Sequence, residues 1–345
     1  MMSRISSSGA VLALSLAIAA ALQGCGGTDD QQSAPHPVVV NQLFLEDPHS
    51  GKIAAFTSAS PASGTAFSDH VVAGVANANG PMAYDATRDE LYVAVSNPSN
   101  PAATIQVFDR AGAMTAGTPS RTITFEHGVT SLVRITKLVV DPTTDTLWAY
   151  GLNGSGLIEI ASGTLMIVSH ASTVTSPVPL AGSVGVTAGS NATSFAYDAG
   201  RDVAFVTGAT DASDTAVPGV AVYAAASTTF GTGGLERPTS TLAIAGAADI
   251  AFDASHDILY VADPQHGLWI VQQASTANPV LVGPIAMAQV NSVSVDATND
   301  RLVVGAGTSA YVFDDASTLA GGSSFPPATV VTAGSSDSIS SAAFR

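Results

Sequence analysis

The repeat unit of this chain is clearest in Asp249-Ile-Ala-Phe-Asp-Ala-Ser-His-Asp-Ile-Leu-Tyr-Val-Ala-Asp263, followed by Gly267-Leu-Trp-Ile-Val271. Apolar residues alternate with other residues on both sides of an Asp-x-x-x-Asp step, and this period is typical of half-buried β-strands. Asp side chains accept backbone N–H bonds within turns, so the step from Asp253 to Asp257 predicts a tight turn between two strands.

The same unit occurs at four other places, about 40 to 60 residues apart, which is the length of one small sheet. Each unit has a first and a second Asp, and the pairs are Asp85/Asp89, Asp141/Asp145, Asp198/Asp202, Asp253/Asp257 and Asp296/Asp300. Third strands are predicted at 104–108, 157–160, 220–223, 268–271 and 310–313, and fourth strands at 121–125, 239–244 and 328–331. Four antiparallel strands per repeat, arranged radially, make a β-propeller.

The two ends of the chain supply a sixth blade. Residues 340–344 match a first strand, 38–45 a second, and 52–56 and 69–73 a third and a fourth. A blade shared by both ends closes the ring and removes two free sheet edges. The sequence therefore predicts an all-β, six-bladed β-propeller over residues 38–345, with a β-sandwich or an open solenoid as the alternative.

The paired Asp residues are interpreted as turn residues. Their regular spacing is also compatible with carboxylate dyads or calcium loops, but a loop of the EF-hand type needs more oxygen ligands and a closing Glu. A catalytic pair would be needed once, whereas this pair occurs in all five repeats.

The repeat pattern, best seen in residues 249–271, resembles the six-bladed NHL-type propellers and related bacterial propellers, including lactonase-like ones. The resemblance covers nearly all of residues 38–345 and implies the architecture. It implies little about function, because such propellers include binding scaffolds, lyases, lactonases and assembly factors.

The N-terminus indicates export. The apolar run Ala10–Leu22 is shorter than the roughly 20 residues that span a bilayer, and it is typical of a secretory signal peptide. It ends in Leu22-Gln-Gly-Cys25, which resembles a bacterial lipobox. That resemblance implies cleavage after Gly24 and acylation of Cys25, and Gly26 after the Cys implies sorting to the outer membrane. An ordinary signal peptide with a chance Cys is the alternative.

Three segments are expected: a lipoprotein signal peptide (1–24), a flexible tether rich in Gly and Pro (25–37), and the propeller domain (38–345). Cys25 is the only cysteine, so no internal disulfide is possible. The chain has 11 Lys and Arg against 27 Asp and Glu, a net charge of −16. This balance argues against binding to nucleic acid or binding to a membrane through a basic surface.

Polar residues at the predicted starts of the innermost strands are the candidate ligand site, at the mouth of the central channel. They are Lys137, Asn191, Asp249, Asn291 and Asp337. The resemblance to lactonase-type propellers implies that oxygen ligands at such positions hold one divalent cation. This chain departs from that pattern, because no Glu stands at a strand start and Lys137 would repel a cation. The alternative is a polar channel mouth that binds water.

Two similar loops, residues 47–51 and 263–267, follow the pattern Asp-Pro-x-x-Gly and are expected to face the channel mouth. Their metal-ligand side chains are Asp47, His49, Asp263 and His266. Two His and two Asp suit zinc, but the same pattern is ordinary turn chemistry, and the loops belong to blades that are not adjacent. No cofactor is therefore expected, with Ca²⁺ or Zn²⁺ as the alternative.

Motifs of serine hydrolases and of nucleotide-binding enzymes are missing from the sequence. The expected function is a monomeric, lipid-anchored envelope scaffold that binds an envelope protein or a small molecule. Its expected contact surface is the channel mouth with the insert 208–219, which carries Asp211 and Asp214. The alternative is a metal-assisted hydrolase or lyase of lactonase-like type.

Overall fold

Alternating apolar residues form short antiparallel strands along the described part of the chain. The computed structural model describes residues 42–47, 51–58, 61–75, 78–97, 100–114, 117–125, 132–153, 162–175, 177, 182–185, 194–209, 217, 219–229, 238–319, 327, 329–332, 339 and 341–344. These residues lie within one compact unit, Val39–Arg345. Within these ranges, no helix has both the length and the apolar character needed to cross a bilayer.

The strands form six separate sheets, which we call blades 1 to 6. Blade 1 contains β5 (Ala78–Asp85), β6 (Glu90–Asn97), β7 (Asn100–Asp109) and β8 (Arg121–Ile123). Blade 2 contains β9 (Leu132–Asp141), β10 (Thr146–Asn153), β11 (Ser162–Ser169) and β12 (Gly182–Gly185). Blade 3 contains β13 (Phe195–Asp198), β14 (Val203–Thr207), β15 (Val220–Ala224) and β16 (Ser240–Leu242).

The remaining blades follow the same antiparallel order. Blade 4 contains β17 (Asp249–Asp253), β18 (Ile258–Asp263), β19 (Gly267–Gln272) and β20 (Val280–Ile285). Blade 5 contains β21 (Val290–Asp296), β22 (Arg301–Ala306), β23 (Ser309–Asp314) and β24 (Thr329–Thr332), with the two-residue β3 (Thr65–Ala66) at its edge. Blade 6 contains β25 (Ser341–Phe344), β1 (Leu43–Asp47), β2 (Lys52–Phe56) and β4 (Val71–Gly74).

Blade 6 joins the two ends of the domain, as the sequence predicts. The C-terminal strand β25 pairs with β1 in a register that aligns Leu43 with Phe344 and Glu46 with Ser341. The innermost strands β25, β5, β9, β13, β17 and β21 each contact the next one around the ring. In addition, the Met82 N–H donates to Ser341 Oγ at 2.9 Å, which ties blade 6 to blade 1. The fold is a six-bladed β-propeller.

Several details differ from the sequence prediction. Residues 69 and 70, predicted to begin a strand, belong to the 3-10 turn Phe67–His70 that precedes β4. The third strand of blade 2 is β11 (Ser162–Ser169), not residues 157–160, which lie outside the described residues. Strand β10 extends to Asn153 and pairs with β11 at eight positions. This hairpin is longer than the sequence predicts, so its second strand lies further along the chain. Strand β3 was not predicted, and it pairs in parallel with β24.

The core lies between neighbouring blades. One buried cluster joins Tyr92 and Ile105 of blade 1 to Leu147 and Met166 of blade 2, and a second joins Phe205 of blade 3 to residues of blade 4. The other buried clusters also join neighbouring blades, and they combine aromatic side chains with small residues such as Ala. Because each blade buries both of its faces, no blade has a separate core, and stability depends on closure of the ring.

The first Asp of every repeat builds the turn between the first and second strands, which confirms the structural interpretation. Its Oδ1 accepts the N–H groups two and three residues later in all five repeats. Its Oδ2 binds the side chain three residues later, which is Arg88, Thr144, Arg201, His256 or Asn299.

The second Asp of every repeat ties this turn to the end of the third strand. All five are in the left-handed region, with φ between 51° and 58°. Their carboxylates accept the N–H groups of Gly112, Ser172, Ser227, Ser275 and Ser317. The residue before each of these is a buried Ala, so Ala-Ser or Ala-Gly after the third strand is a further repeat signature that the sequence analysis missed.

Candidate functional site

A central channel of about 640 Å³ is the candidate functional site. It is lined by the innermost strands of all six blades. In blades 1 to 5, each of these strands ends at the Asp turn of its own repeat. One mouth of the channel therefore carries Asp249 and Asn291, at the starts of β17 and β21, and the other carries the Asp turns. Lys137 was predicted at a strand start, but it is the sixth residue of β9, which already begins at Leu132.

Irregular pairing places polar residues at the first mouth. In blade 2, Lys137 pairs with Tyr150 and Ile135 with Gly151, so Thr136 is an extra residue in a bulge. In blade 5, a similar shift between Val290 and Ser292 leaves Asn291 as the extra residue. Bulges redirect the side chains next to them. Both Lys137 and Asn291 line the channel, and Asn291 is exposed.

An ion pair spans the channel at this mouth. Lys137 Nζ of blade 2 lies 2.7 Å from Asp249 Oδ1 of blade 4, and each side chain is only 15% exposed. The ammonium also donates to the Val293 carbonyl of blade 5 at 3.4 Å. The pair therefore connects strands that are not neighbours in the ring.

The Asp249 carboxylate has partners on both oxygens. Besides Lys137, Oδ1 accepts the Ser194 hydroxyl of blade 3 at 2.5 Å, and Oδ2 accepts the Val293 N–H at 2.8 Å. Ser194 is itself held, because its N–H donates to Thr207 Oγ1 at 2.7 Å. Four blades thus converge on one carboxylate, and a cation ligated by Asp249 would have to displace the Lys137 ammonium.

Towards the Asp turns, apolar and aromatic side chains form much of the channel wall, although Asp296 also lines it. Tyr197, Phe252, Val295 and Phe344 line it and are partly buried. The Tyr197 hydroxyl donates to Asp202 at 3.0 Å. Burial, together with this hydrogen bond, raises the pKa of Tyr197 to about 12, so the phenol is neutral near pH 7. The channel therefore combines a polar mouth with an apolar interior, the usual character of a ligand pocket.

The predicted mouth residues are only partly described. Lys137, Asp249 and Asn291 all line the channel. Asn191 and Asp337 lie outside the described residues, as do Cys25 and the Asp211 and Asp214 of the insert. Ser194 was not predicted, although it directly precedes the first strand of its repeat, as Asp249 begins its own.

The Asp263 loop is an ordered turn. Asp263 Oδ1 accepts the N–H groups of Gln265 and His266, and Oδ2 lies 2.7 Å from His266 Nδ1 and 3.2 Å from Trp269 Nε1. Burial alone would raise the pKa of this carboxyl, but these hydrogen bonds hold it below its ordinary value. Gly267 has φ +118°, and a Cβ there would lie 2.1 Å from the Ile285 carbonyl oxygen. The backbone thus requires the Gly of Asp-Pro-x-x-Gly.

The second loop of this type lies in another blade. Asp47 is buried at the end of β1 in blade 6, whereas Asp263 is in blade 4, and blade 5 stands between these two in the ring. His49 lies outside the described residues. The described residues of the two loops do not bring their metal-ligand side chains together. A zinc site shared by both loops therefore stays a prediction.

The side chains that could hold a metal lie elsewhere. Among the described residues, the one group of three or more His, Cys, Asp or Glu side chains in suitable proximity is Asp253, His256 and Asp300. This group lies at the turn end of blade 4 and blade 5. The sequence pattern does not reveal this group, because Asp300 becomes a neighbour of Asp253 and His256 only when blades 4 and 5 pack together.

Comparisons with known proteins agree on the fold. No protein-family model matches the sequence, and no curated protein resembles it in sequence. The chain is similar to one in a crystal structure of a nidogen/laminin complex, with 12% identity, a TM-score of 0.54 and coverage of 88% of this chain and 97% of that one. It is also similar to Kuenenia stuttgartiensis hydrazine synthase, with 13% identity, a TM-score of 0.51 and coverage of 80% and 82%. At such identities the likeness shows the fold alone.

Proposed function

We propose that this protein is an exported, lipid-anchored scaffold of the cell envelope that binds its partner at the channel mouth without catalysing a reaction. The observation that carries this proposal is the Lys137–Asp249 pair at 2.7 Å. This ion pair fixes a polar, preformed surface across four blades. The Lys137 ammonium and the Asp249 carboxylate already neutralise each other. A rigid surface of this kind suits binding, because little freedom is lost on association.

The metal-assisted hydrolase or lyase is less well supported. Its cation would take Asp249 as a ligand, but the Lys137 ammonium already neutralises that carboxylate. Of the other candidate residues that the structure describes at this mouth, only Asn291 has an oxygen that could bind a cation. The nidogen/laminin complex adds modest support for a scaffold, because a chain with this fold occurs there in a protein complex. The hydrazine synthase likeness shows that the fold also occurs within an enzyme.

Capture of a partner tests the contact surface. Wild-type protein should retain an envelope protein or small molecule from a detergent extract, and the double variant Lys137→Met/Asp249→Leu should lose it. The double change removes both charges together, so no buried charge is left unpaired. The control is Thr298→Ala, at the opposite end of the channel. Equal capture by all three proteins, or no capture by the wild type, would contradict a binding role for this mouth.

Membrane attachment is tested through Cys25. Several acyl chains hold a protein firmly at a bilayer, at about 0.8 kcal/mol per buried CH₂. We expect labelled palmitate to be incorporated into the wild type and the protein to sediment with the outer membrane. Cys25→Ser should abolish labelling and move the protein into the soluble fraction. The control is Ser33→Ala, within the proposed tether. Unchanged sedimentation of Cys25→Ser would refute the anchor while leaving the channel proposal intact.

A further inference from the structure

Cationic side chains link neighbouring blades at the Asp turns. At the junction of blades 1 and 2, the Arg88 guanidinium lies 2.8 Å from Asp85 and 3.5 Å from Asp145, the second Asp of blade 2. It also donates to the Pro142 carbonyl of blade 2 at 2.9 Å. A single positive group is thus placed between a buried carboxylate of one blade and a carboxylate of the next.

The junction of blades 3 and 4 repeats this arrangement. Arg201 lies 2.7 Å from Asp198 and donates to the Ala254 carbonyl of blade 4 at 3.2 Å. The hydrogen bond to Asp198 and, more weakly, the charge of Asp257 raise the pKa of Arg201. Two junctions therefore place a permanent cation between the first Asp of one repeat and the second Asp of the next.

The junction of blades 4 and 5 keeps both carboxylates but has His256 in place of the Arg. The Asp253 carboxylate is completely buried, and its Oδ2 lies 2.7 Å from His256 Nδ1. One ligand atom from each of Asp253, His256 and Asp300 lies within 4.8 Å of the other two. An imidazole is shorter than a guanidinium-bearing chain and can itself be a metal ligand.

The carboxylates of Asp253 and Asp300 are both oriented by hydrogen bonds from nearby N–H and hydroxyl groups. Asp253 Oδ1 accepts the N–H groups of Ser255 at 2.8 Å and His256 at 3.2 Å. Asp300 accepts the N–H of Ser317 at 2.7 Å and its hydroxyl at 2.6 Å. Such outer hydrogen bonds fix the orientation of metal ligands. The His256 side chain is 41% exposed, so the group is open to ions from solvent.

We propose that Asp253, His256 and Asp300 form a binding site for a divalent transition-metal ion of the Zn²⁺ type, which cross-links blades 4 and 5. Two carboxylate oxygens and one imidazole nitrogen are a ligand set that zinc accepts, and water completes the coordination. Ca²⁺ is disfavoured, because it takes six to eight oxygen ligands. The ion supplies the positive charge that Arg88 and Arg201 supply at their junctions.

Zinc titration of the metal-stripped full-length protein tests this site. Calorimetry at pH 7.5 should show one Zn²⁺ bound per chain, and saturating Zn²⁺ should raise the melting temperature. The variant His256→Arg restores the residue type found at positions 88 and 201, so it should fold. We expect it to bind Zn²⁺ at least about 100-fold more weakly and to show no zinc-dependent rise in melting temperature.

Two further variants test whether Zn²⁺ binds at this three-residue site rather than at another His–Asp pair. Asp300→Asn should weaken Zn²⁺ binding, whereas His266→Gln should not. His266 is a matched control, because it lies 2.7 Å from Asp263 in the same i, i+3 relation, yet no third ligand among the described residues joins that pair. Unchanged Zn²⁺ binding in His256→Arg, loss of binding in His266→Gln, or no saturable binding by the wild type would each overturn the proposal.

Discussion

At the scale of single residues, the fold depends on Asp side chains in left-handed turns. Asp202 has φ 55°, and its carboxylate accepts the Ser227 N–H and hydroxyl, both at 2.8 Å, and the Tyr197 hydroxyl. Asp and Asn tolerate this backbone conformation better than other residues with a Cβ. Asp202 therefore combines a backbone role with a connection between three parts of blade 3.

The change Asp202→Ala should lower the free energy of unfolding by about 2–3 kcal/mol at pH 7, because the acceptor of three hydrogen bonds is removed. Asp202→Asn is the matched control, since it keeps the turn preference and one acceptor, and it should cost less. Midpoints of urea unfolding measure both effects. Equal loss in the two variants would contradict a contribution from the turn preference or the remaining acceptor and would assign the whole effect to the carboxylate.

The lowered pKa of Asp202 determines how its contribution to folding stability changes with pH. Burial opposes ionisation of Asp202, but the hydrogen bonds from Ser227 and Tyr197 outweigh it and lower the pKa of the carboxyl. Its stabilising effect is therefore fully present above the unfolded-state pKa of about 3.9 and is lost as the pH falls through the folded-state pKa. The stability difference between wild type and Asp202→Asn should shrink below about pH 4.

At the scale of strands and turns, the Asp-x-x-x-Asp unit predicts β17 and β18 well, because both its turn chemistry and its period of two are local. Strand β11 was misplaced, since nothing local shows how far the β10–β11 hairpin extends. The bulges at Thr136 and Asn291 were also unpredictable, because a bulge depends on the partner strand. The alignment of the internal repeats predicts Lys137 and Asp249 at the same mouth of the channel.

What the sequence could not predict is the pairing of those two residues. The alignment assigns Lys137 to blade 2 and Asp249 to blade 4, and positive charge at the first was expected to repel a cation at the second. The structure shows that the charge is used within the protein, because Lys137 Nζ contacts Asp249 directly. The group Asp253, His256 and Asp300 likewise arises from contact between blades rather than from spacing along the chain.

At the scale of the whole molecule, closure by β25 determines whether six sheets form one ring, because β25 contacts both β5 and β21 besides pairing with β1. Deleting residues 338–345 should therefore lower the melting temperature or the solubility, since the inner edge of β1 and the faces of two neighbouring blades become exposed. A synthetic peptide covering these residues, added in excess, should raise the melting temperature of the truncated protein, and a scrambled peptide should not. Deleting Arg345 alone is the control, as it leaves β25 intact. If the truncated protein melts like the wild type, the ring does not depend on its C-terminal strand.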